Sequence, residues 1–296
     1  MRCLREVATA PGETRHDVLV RGHDREKLRE TFDEAATLYE RARPHYPDTL
    51  YADVVKLAEL RQGTRVLEIG CGTGQATRPL ARRGYDIVCV ELGASLATVA
   101  SQSLAEYPNV HIVTAAFETW DPGGSSFGMV FAATSWHWLD PNLRYVKVAA
   151  VLEPQGALAI VNTHHVLPDD GDSFFAEIQD TYNGIGEVDS PPPSPDEVSD
   201  EREDIEASRL FGDVKVRRYL WEESYTAEQY LALLETYSGH RLMDPGARQI
   251  LYEEIRRRIG ARPVNLVRKH YLFVLHVARR VDDLVQVSPL PGDATS

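Results

Sequence analysis

Two strings in this chain have the residue types and spacing to do chemistry: a glycine turn, Glu68-Ile69-Gly70-Cys71-Gly72-Thr73-Gly74, and a histidine between tryptophans, Trp136-His137-Trp138. Glycine lacks Cβ, so it accepts positive φ and lets backbone lie directly against a ligand. Three glycines at alternate positions after an apolar strand therefore predict a turn shaped around a small molecule. The dinucleotide fingerprint spaces its glycines G-x-G-x-x-G; here Gln75 takes the third glycine's place, which disfavours NAD. About twenty residues further on, where doubly wound folds place a carboxylate for the ribose hydroxyls of an adenine nucleoside, an apolar run ends in Glu91. Leu92, next in line, is placed to wall the adenine. His137 has an imidazole that titrates near neutrality, which suits a general base; a positioning or packing histidine is the alternative.

Such residues need a scaffold. Apolar residues Leu28, Phe32, Ala35, Ala36 and Tyr39 recur at three- and four-residue spacing and predict an amphipathic helix from Arg25,. Pro44 and Pro47 end it, and a second helix is expected over 49–60,. Strands are predicted at 66–69, 87–90, 110–115, 127–132, 157–162, 214–220 and 271–278. Between them, helices are predicted over 75–83, closed by Gly84, and over 142–152, 227–237 and 247–259. In a parallel sheet the carboxyl ends of the strands frame the ligand crevice. The loop holding His137 and the pair His164-His165 fall at such ends.

The string Val66 to Gln75 resembles motif I of the class I S-adenosylmethionine-dependent methyltransferases. In that family the glycine turn passes beneath the amino-acid part of the cofactor, and the acid, here Glu68, organises the loop. The string Phe32 to Pro47 resembles the N-terminal segment of small-molecule methyltransferases, and Trp136-His137-Trp138-Leu139-Asp140-Pro141 resembles a loop of the trans-aconitate methyltransferase-like group. The resemblance implies a doubly wound α/β fold: a seven-stranded, mostly parallel sheet with the last strand antiparallel, capped by N-terminal and late helices. It implies S-adenosyl-L-methionine as cofactor, bound by Glu68, Gly70, Cys71, Gly72, Gly74, Glu91, Leu92, Phe117, Glu118, Ser135, Tyr39 and Arg43. Arg43 would pair with the methionine carboxylate. The family's usual acid after strand three is missing at Ala115 and Ala116, so the Phe117 backbone and the Glu118 side chain stand in for it; packing beneath the loop is the other reading of Phe117 and Trp120. On the acceptor side the candidates are Tyr46, Trp136, Trp138 and His164, with His137 as base. The two indoles are expected to hold the sulfonium or sandwich an apolar acceptor, or simply to be buried. A scaffold that binds the cofactor without turnover is the runner-up.

At 296 residues and 43% hydrophobic content the chain can bury a large core,. The expected division is a lead-in (1–24), a methyltransferase domain (25–283) and a tail (284–296). Within the domain lie an N-terminal helical cap (25–62), a cofactor-binding core (63–162), an insertion (163–213), and late strands with cap helices (214–283). Cys3, Cys71 and Cys89 are scattered without C-x-x-C spacing, so neither a disulfide frame nor a metal site is expected,. No run approaches the roughly 18 apolar residues of a membrane span, and no apolar signal core is seen, so a cytoplasmic protein is expected. The net charge of −13 argues against a nucleic-acid partner held through phosphates,, leaving a small-molecule acceptor. Nine acids against Arg202 between Glu187 and Glu206 give −8 there and −5 elsewhere. That stretch contains Pro191-Pro192-Pro193 and Pro195 and is expected to be a loose insertion,.

Overall fold

The computed structural model describes residues 36–187 and 190–282. The expected lead-in, the first part of the N-terminal helix through Ala35, Asp189 of the acidic stretch and the C-terminal tail lie outside the described residues.

Pro44 and Pro47 break the chain between α1 (Ala36–Ala42) and α2 (Asp48–Leu57), Pro47 serving as the N-cap of α2,. The first half continues as β1 (Arg65–Ile69), α3 (Thr77–Ala81), β2 (Asp86–Glu91), α4 (Ala94–Ser103), β3 (Val110–Thr114), β4 (Phe127–Ala133), α5 (Arg144–Val151) and β5 (Leu152–Val166). The second half contains α6 (Phe174–Glu177), α7 (Gln179–Gly184), α8 (Arg202–Ala207), β6 (Phe211–Tyr225), α9 (Ala227–Leu234), α10 (Ser238–Arg241), α11 (Pro245–Gly260) and β7 (Val267–Arg280). The described strands form one sheet in the order β3-β2-β1-β4-β5-β7-β6. β1 to β5 run parallel, and β7 lies antiparallel between β5 and β6. The expected doubly wound, mostly parallel sheet is therefore present, with its strand order reversing between β1 and β4. Ligand crevices open at the carboxyl ends beside such a reversal.

Apolar side chains fill both faces. One core contains Leu50, Tyr51, Met129, Phe131, Tyr271 and Phe273 under α2, α9 and α11; the other contains Leu67, Val130, Trp136, Val148 and Ile160 under α5. α1 packs on α4 and α9, so the N-terminal helix reaches both the cofactor-side and the late elements. Tyr219 Oη donates to Asp53 Oδ2 at 2.6 Å, tying α2 across β7 to β6. Among the described residues no helix is long and apolar enough to cross a membrane.

β5, β6 and β7 extend well beyond the apolar runs that announce them. Antiparallel pairing continues from Ala157↔Arg279 out to Val166↔His270, so polar residues such as His164 and His270 are ladder members. The acidic stretch also differs from expectation. Its described part is docked: Arg218 Nη1 donates to the Val198 carbonyl (3.0 Å), Arg202 Nη1 to the Val214 carbonyl (2.7 Å), and the Glu201 amide to His276 Nε2 (3.1 Å). Arg144 and Tyr145 both reach Asp204, at 2.7 and 2.6 Å. Val198 and Ile205 are buried beneath it. Arginines that meet its carbonyls and acids, with two apolar anchors, hold a segment whose composition alone suggests disorder.

Candidate functional site

β1 hands the chain to the glycine turn at the sheet's carboxyl edge. Gly70 has φ +67°, and a Cβ added there would stand 2.7 Å from the Ser135 Cβ, so the turns after β1 and β4 touch through this glycine. Gly72 has φ +58°, and the first side chain its added Cβ would meet is Tyr39, 3.8 Å away. That position offers bare backbone beneath an aromatic ring. The Gly72 N–H donates to Glu91 Oε2 at 2.8 Å, and the Gly93 N–H donates to Oε1 at 2.9 Å. Glu91 thus spans the first and second strand-to-helix turns, its carboxylate held by two backbone amides. Each carboxylate oxygen has two lone pairs, so the same oxygens can also receive ribose hydroxyls. Leu92 follows, half-buried.

Glu68 lies below this edge, 1% exposed. Cys89 Sγ approaches its Oε2 to 4.0 Å, and the Thr77 hydroxyl at the start of α3 donates to it. Burial pushes the carboxyl up to about 8, so Glu68 is a neutral acid at pH 7,. It lies buried between Thr77 at the start of α3 and Cys89 of β2. Cys71 also turns inward, joining the core beside Cys89; their thiol hydrogen bond and burial push the Cys71 thiol up, which rules out a reactive thiolate.

The turn after β4 begins at Thr134, a non-glycine residue at φ +57°. Such strain concentrates where surrounding contacts fix the backbone, often at functional sites. Thr134 Oγ1 lies 2.7 Å from Tyr46 Oη and 2.8 Å from Thr163 Oγ1, forming a hydroxyl chain across the strand ends. Ser135 Oγ donates to the Ile69 carbonyl. That bond clamps the β4 turn to the glycine turn. Trp136 is fully buried, with its ring 5.1 Å from that of Tyr145 and the Arg144 guanidinium 5.1 Å away. The acceptor role expected of Trp136 is therefore corrected to core packing. His137 and Trp138, both half-buried, share a single 3-10 turn, with ring centroids 5.0 Å apart. Glu118 Oε1 accepts from the Asp140 amide at 3.3 Å and so pins the far end of this turn. Phe117 is buried in the α5-side core, with the Lys147 ammonium 5.2 Å over its ring; only its backbone remains available to a ligand.

Residues 66–156 match the family described as methyltransferase domain. A solved structure with 21% identity, a provisionally named Type II methyltransferase from Anaeromyxobacter dehalogenans, superposes with a TM-score of 0.56 over 80% of this chain and 97% of that one. Residues 66–156 thus form a methyltransferase domain, on a fold shared with that solved structure. An uncharacterized methyltransferase of Mycobacterium tuberculosis is 34% identical over 131 residues, 44% of this chain and 51% of the relative. An rRNA adenine N-6-methyltransferase of Saccharopolyspora erythraea is 31% identical over 110 residues, 34% of this chain and 29% of that protein. The chain thus spans about half or less of the length of these curated relatives.

Around the methyltransferase domain lie two further candidates, Arg43 and His164. The Arg43 guanidinium is stacked between Tyr39 (4.8 Å) and Tyr237 (4.4 Å), and Nη2 donates to the Thr236 carbonyl at 2.9 Å, which staples the N-terminal helix to the end of α9. His164 pairs with Leu272 and adjoins His276 on the face covered by the acidic stretch. Strand residues alternate between faces, so it is His165, paired with Tyr271, that lies on the cap side. Thr134, Thr163, Tyr237 and Tyr271 were not singled out from the sequence. Thr134 was detectable as a polar residue directly after a buried strand; Thr163 and Tyr271 take their places only through strand register, and Tyr237 through the packing of α9 on α1.

Proposed function

We propose that this chain binds S-adenosyl-L-methionine and moves its methyl group to a small-molecule acceptor by in-line displacement, in the cytoplasm. The observation that carries the reading is Glu91, which bridges the Gly72 and Gly93 amides at the sheet's switch point. Those residues fit the cofactor: bare backbone at Gly72 takes its amino-acid part, with Gly70 and Gly74 shaping the turn by packing against Ser135 and Leu104, Glu91 takes its ribose, and Leu92 with the Phe117 backbone its adenine. When bound, the sulfonium supplies an already activated methyl. The protein's work is then to align the acceptor and exclude water, which can contribute roughly 7–11 kcal/mol. His137, Trp138 and Tyr46 border the acceptor side, His137 taking the acceptor's proton or positioning it. α1, α2 and the late helices α9–α11 close that side as a cap. A charge of −13 supports a small acceptor over the nucleic acid named for the Saccharopolyspora relative, because phosphate contacts need a basic surface,.

Calorimetry with S-adenosylhomocysteine, alongside thermal shift with NAD and NADP, tests the cofactor. Stabilisation by the nucleoside alone is expected, and its failure to bind ends the proposal. For His137→Ala, kcat is expected to fall at least thirtyfold while S-adenosylhomocysteine affinity changes little. Unchanged turnover would reduce His137 to packing, and cofactor binding with no turnover of any acceptor would favour a scaffold.

A further inference from the structure

β6 closes the sheet at the end away from β3, and among the described residues no strand pairs with its outer edge. The two edges differ. β3 is five residues long, whereas β6 runs for fifteen. Short length, bulges and prolines are the usual ways in which a fold keeps an edge from pairing with another chain. β6 contains no proline, and its bulge lies at one end, between Gly212 and Lys215; from Lys215 to Tyr225 it pairs with β7 in unbroken register. Antiparallel strands alternate between residues whose N–H and C=O both face the neighbour and residues whose groups both face away. The Val214 carbonyl accepts from Arg202 Nη1 at 2.7 Å and the Val216 carbonyl from Arg217 Nη1 at 2.9 Å. These residues and, by alternation, Arg218, Leu220, Glu222 and Ser224 therefore turn their backbone groups outward.

That edge is complementary to itself. Its first half carries Arg217 and Arg218, its second half Glu222 and Glu223. Two copies related by a two-fold axis present the same patch to each other. With Leu220 on the axis and the strands antiparallel, the outward residues meet: Val216 with Ser224, Arg218 with Glu222, and Leu220 with Leu220. Each such pair can exchange two N–H···O bonds. The residues between them fall on the other face, where Arg217 meets Glu223 and Tyr219 meets Trp221, in the pairs whose side chains stand closest. Sliding by two residues, the smallest shift that keeps outward groups facing each other, sets Leu220 against Arg218 or Glu222 and loses both ion pairs. Leu220 is 52% exposed in the single chain, and pairing covers it. Arg218 already donates to the Val198 and Pro195 carbonyls, Glu222 meets Arg268 and His270, and Glu223 Oε1 accepts from Trp221 Nε1. A guanidinium has five donors and a carboxylate about four lone-pair sites, so each keeps capacity for a partner across the axis. We infer that this chain forms a two-fold dimer through β6, two seven-stranded sheets joining edge to edge into one continuous sheet at Leu220.

Analytical ultracentrifugation of the full chain at tens of micromolar is expected to find a species of twice the chain's mass. Arg217→Glu sets carboxylate against carboxylate on both sides of the axis and should weaken the dimer at least tenfold. Glu223→Arg sets cation against cation and should do the same. The double variant Arg217→Glu/Glu223→Arg restores opposite charges in reverse order and should return to within threefold of wild type, which separates lost pairing from lost folding. Leu220→Lys, with two ammonium groups on the axis, should leave a folded monomer. Hydrogen exchange at the Arg218, Leu220 and Glu222 amides should slow as chain concentration rises. A full chain that stays monomeric, a dimer indifferent to the single variants, or a double variant no better than either single one overturns the inference. Edge amides equally protected in dilute monomer would mean that another part of the same chain covers β6, and that result overturns it too. None of these readouts involves methyl transfer, so they stand whether or not S-adenosylhomocysteine binds.

Discussion

Glu91→Ala is expected to weaken S-adenosylhomocysteine binding at least a hundredfold. The carboxylate is the acceptor for two backbone amides, Gly72 N–H at 2.8 Å and Gly93 N–H at 2.9 Å, and it is 6% exposed. Deleting it strands both donors, at about 1–3 kcal/mol for each buried group left unmade, and removes the sugar's partner as well. A hundredfold corresponds to about 2.7 kcal/mol, well inside that range. Glu91→Gln should do less harm, about tenfold, because an amide oxygen can accept from one of the two N–H groups while its NH2 opposes the other. Calorimetry of the two variants settles the matter: affinity within fivefold of wild type for the alanine variant would show that Glu91 is not the grip.

The second large effect is on stability and concerns Glu68. Its carboxyl is raised from 4.5 to about 8, chiefly by burial. A group whose folded pKa exceeds its unfolded one keeps a proton in the native state that the unfolded chain has released. Its contribution is therefore complete below pH 4.5 and is lost as pH rises toward 8. Urea unfolding should show wild-type stability falling by about 1.4 kcal/mol per pH unit between pH 5 and 8 from this group alone. Glu68→Gln is the neutral, nearly isosteric form and should lose that slope, gaining on wild type at pH 8. Parallel pH profiles for the two proteins would mean that Glu68 is ionised in the native state and that the raised value is wrong.

The residues legible in the sequence are those whose geometry is local. The glycine turn and Glu91 are read from spacing because a strand, a tight turn and the next strand end follow directly from each other in the chain. The hydroxyl chain across the strand ends is not local. His165 and His164 are adjacent and chemically identical in sequence, yet pairing with Tyr271 sends one to the cap and pairing with Leu272 sends the other to the acidic stretch. Only the register of an antiparallel strand from the far end of the chain decides between them. Trp136 and Trp138 make the same point over one turn: the first fills the core against Tyr145, and the second is only half-buried, beside His137. Lys269, 2% exposed, escaped notice because the apolar run of β7 was read from Tyr271, while the strand itself begins at Val267. A lysine two residues outside an apolar run looks like solvated punctuation until helices are laid over it.

The docked acidic segment lies on the opposite side of β7 from Lys269, anchored through His276 and Arg218. Seven acids against Arg202 over residues 190–206, a net charge of −6, therefore belong to one flank. An anionic solute that approaches this flank meets a repulsive field, whose reach dissolved ions shorten to about 10 Å at 0.1 M. Its association with the chain should thus speed up with added salt, the reverse of what attractive surface-charge steering gives, and stopped-flow rates at rising ionic strength would display the inversion.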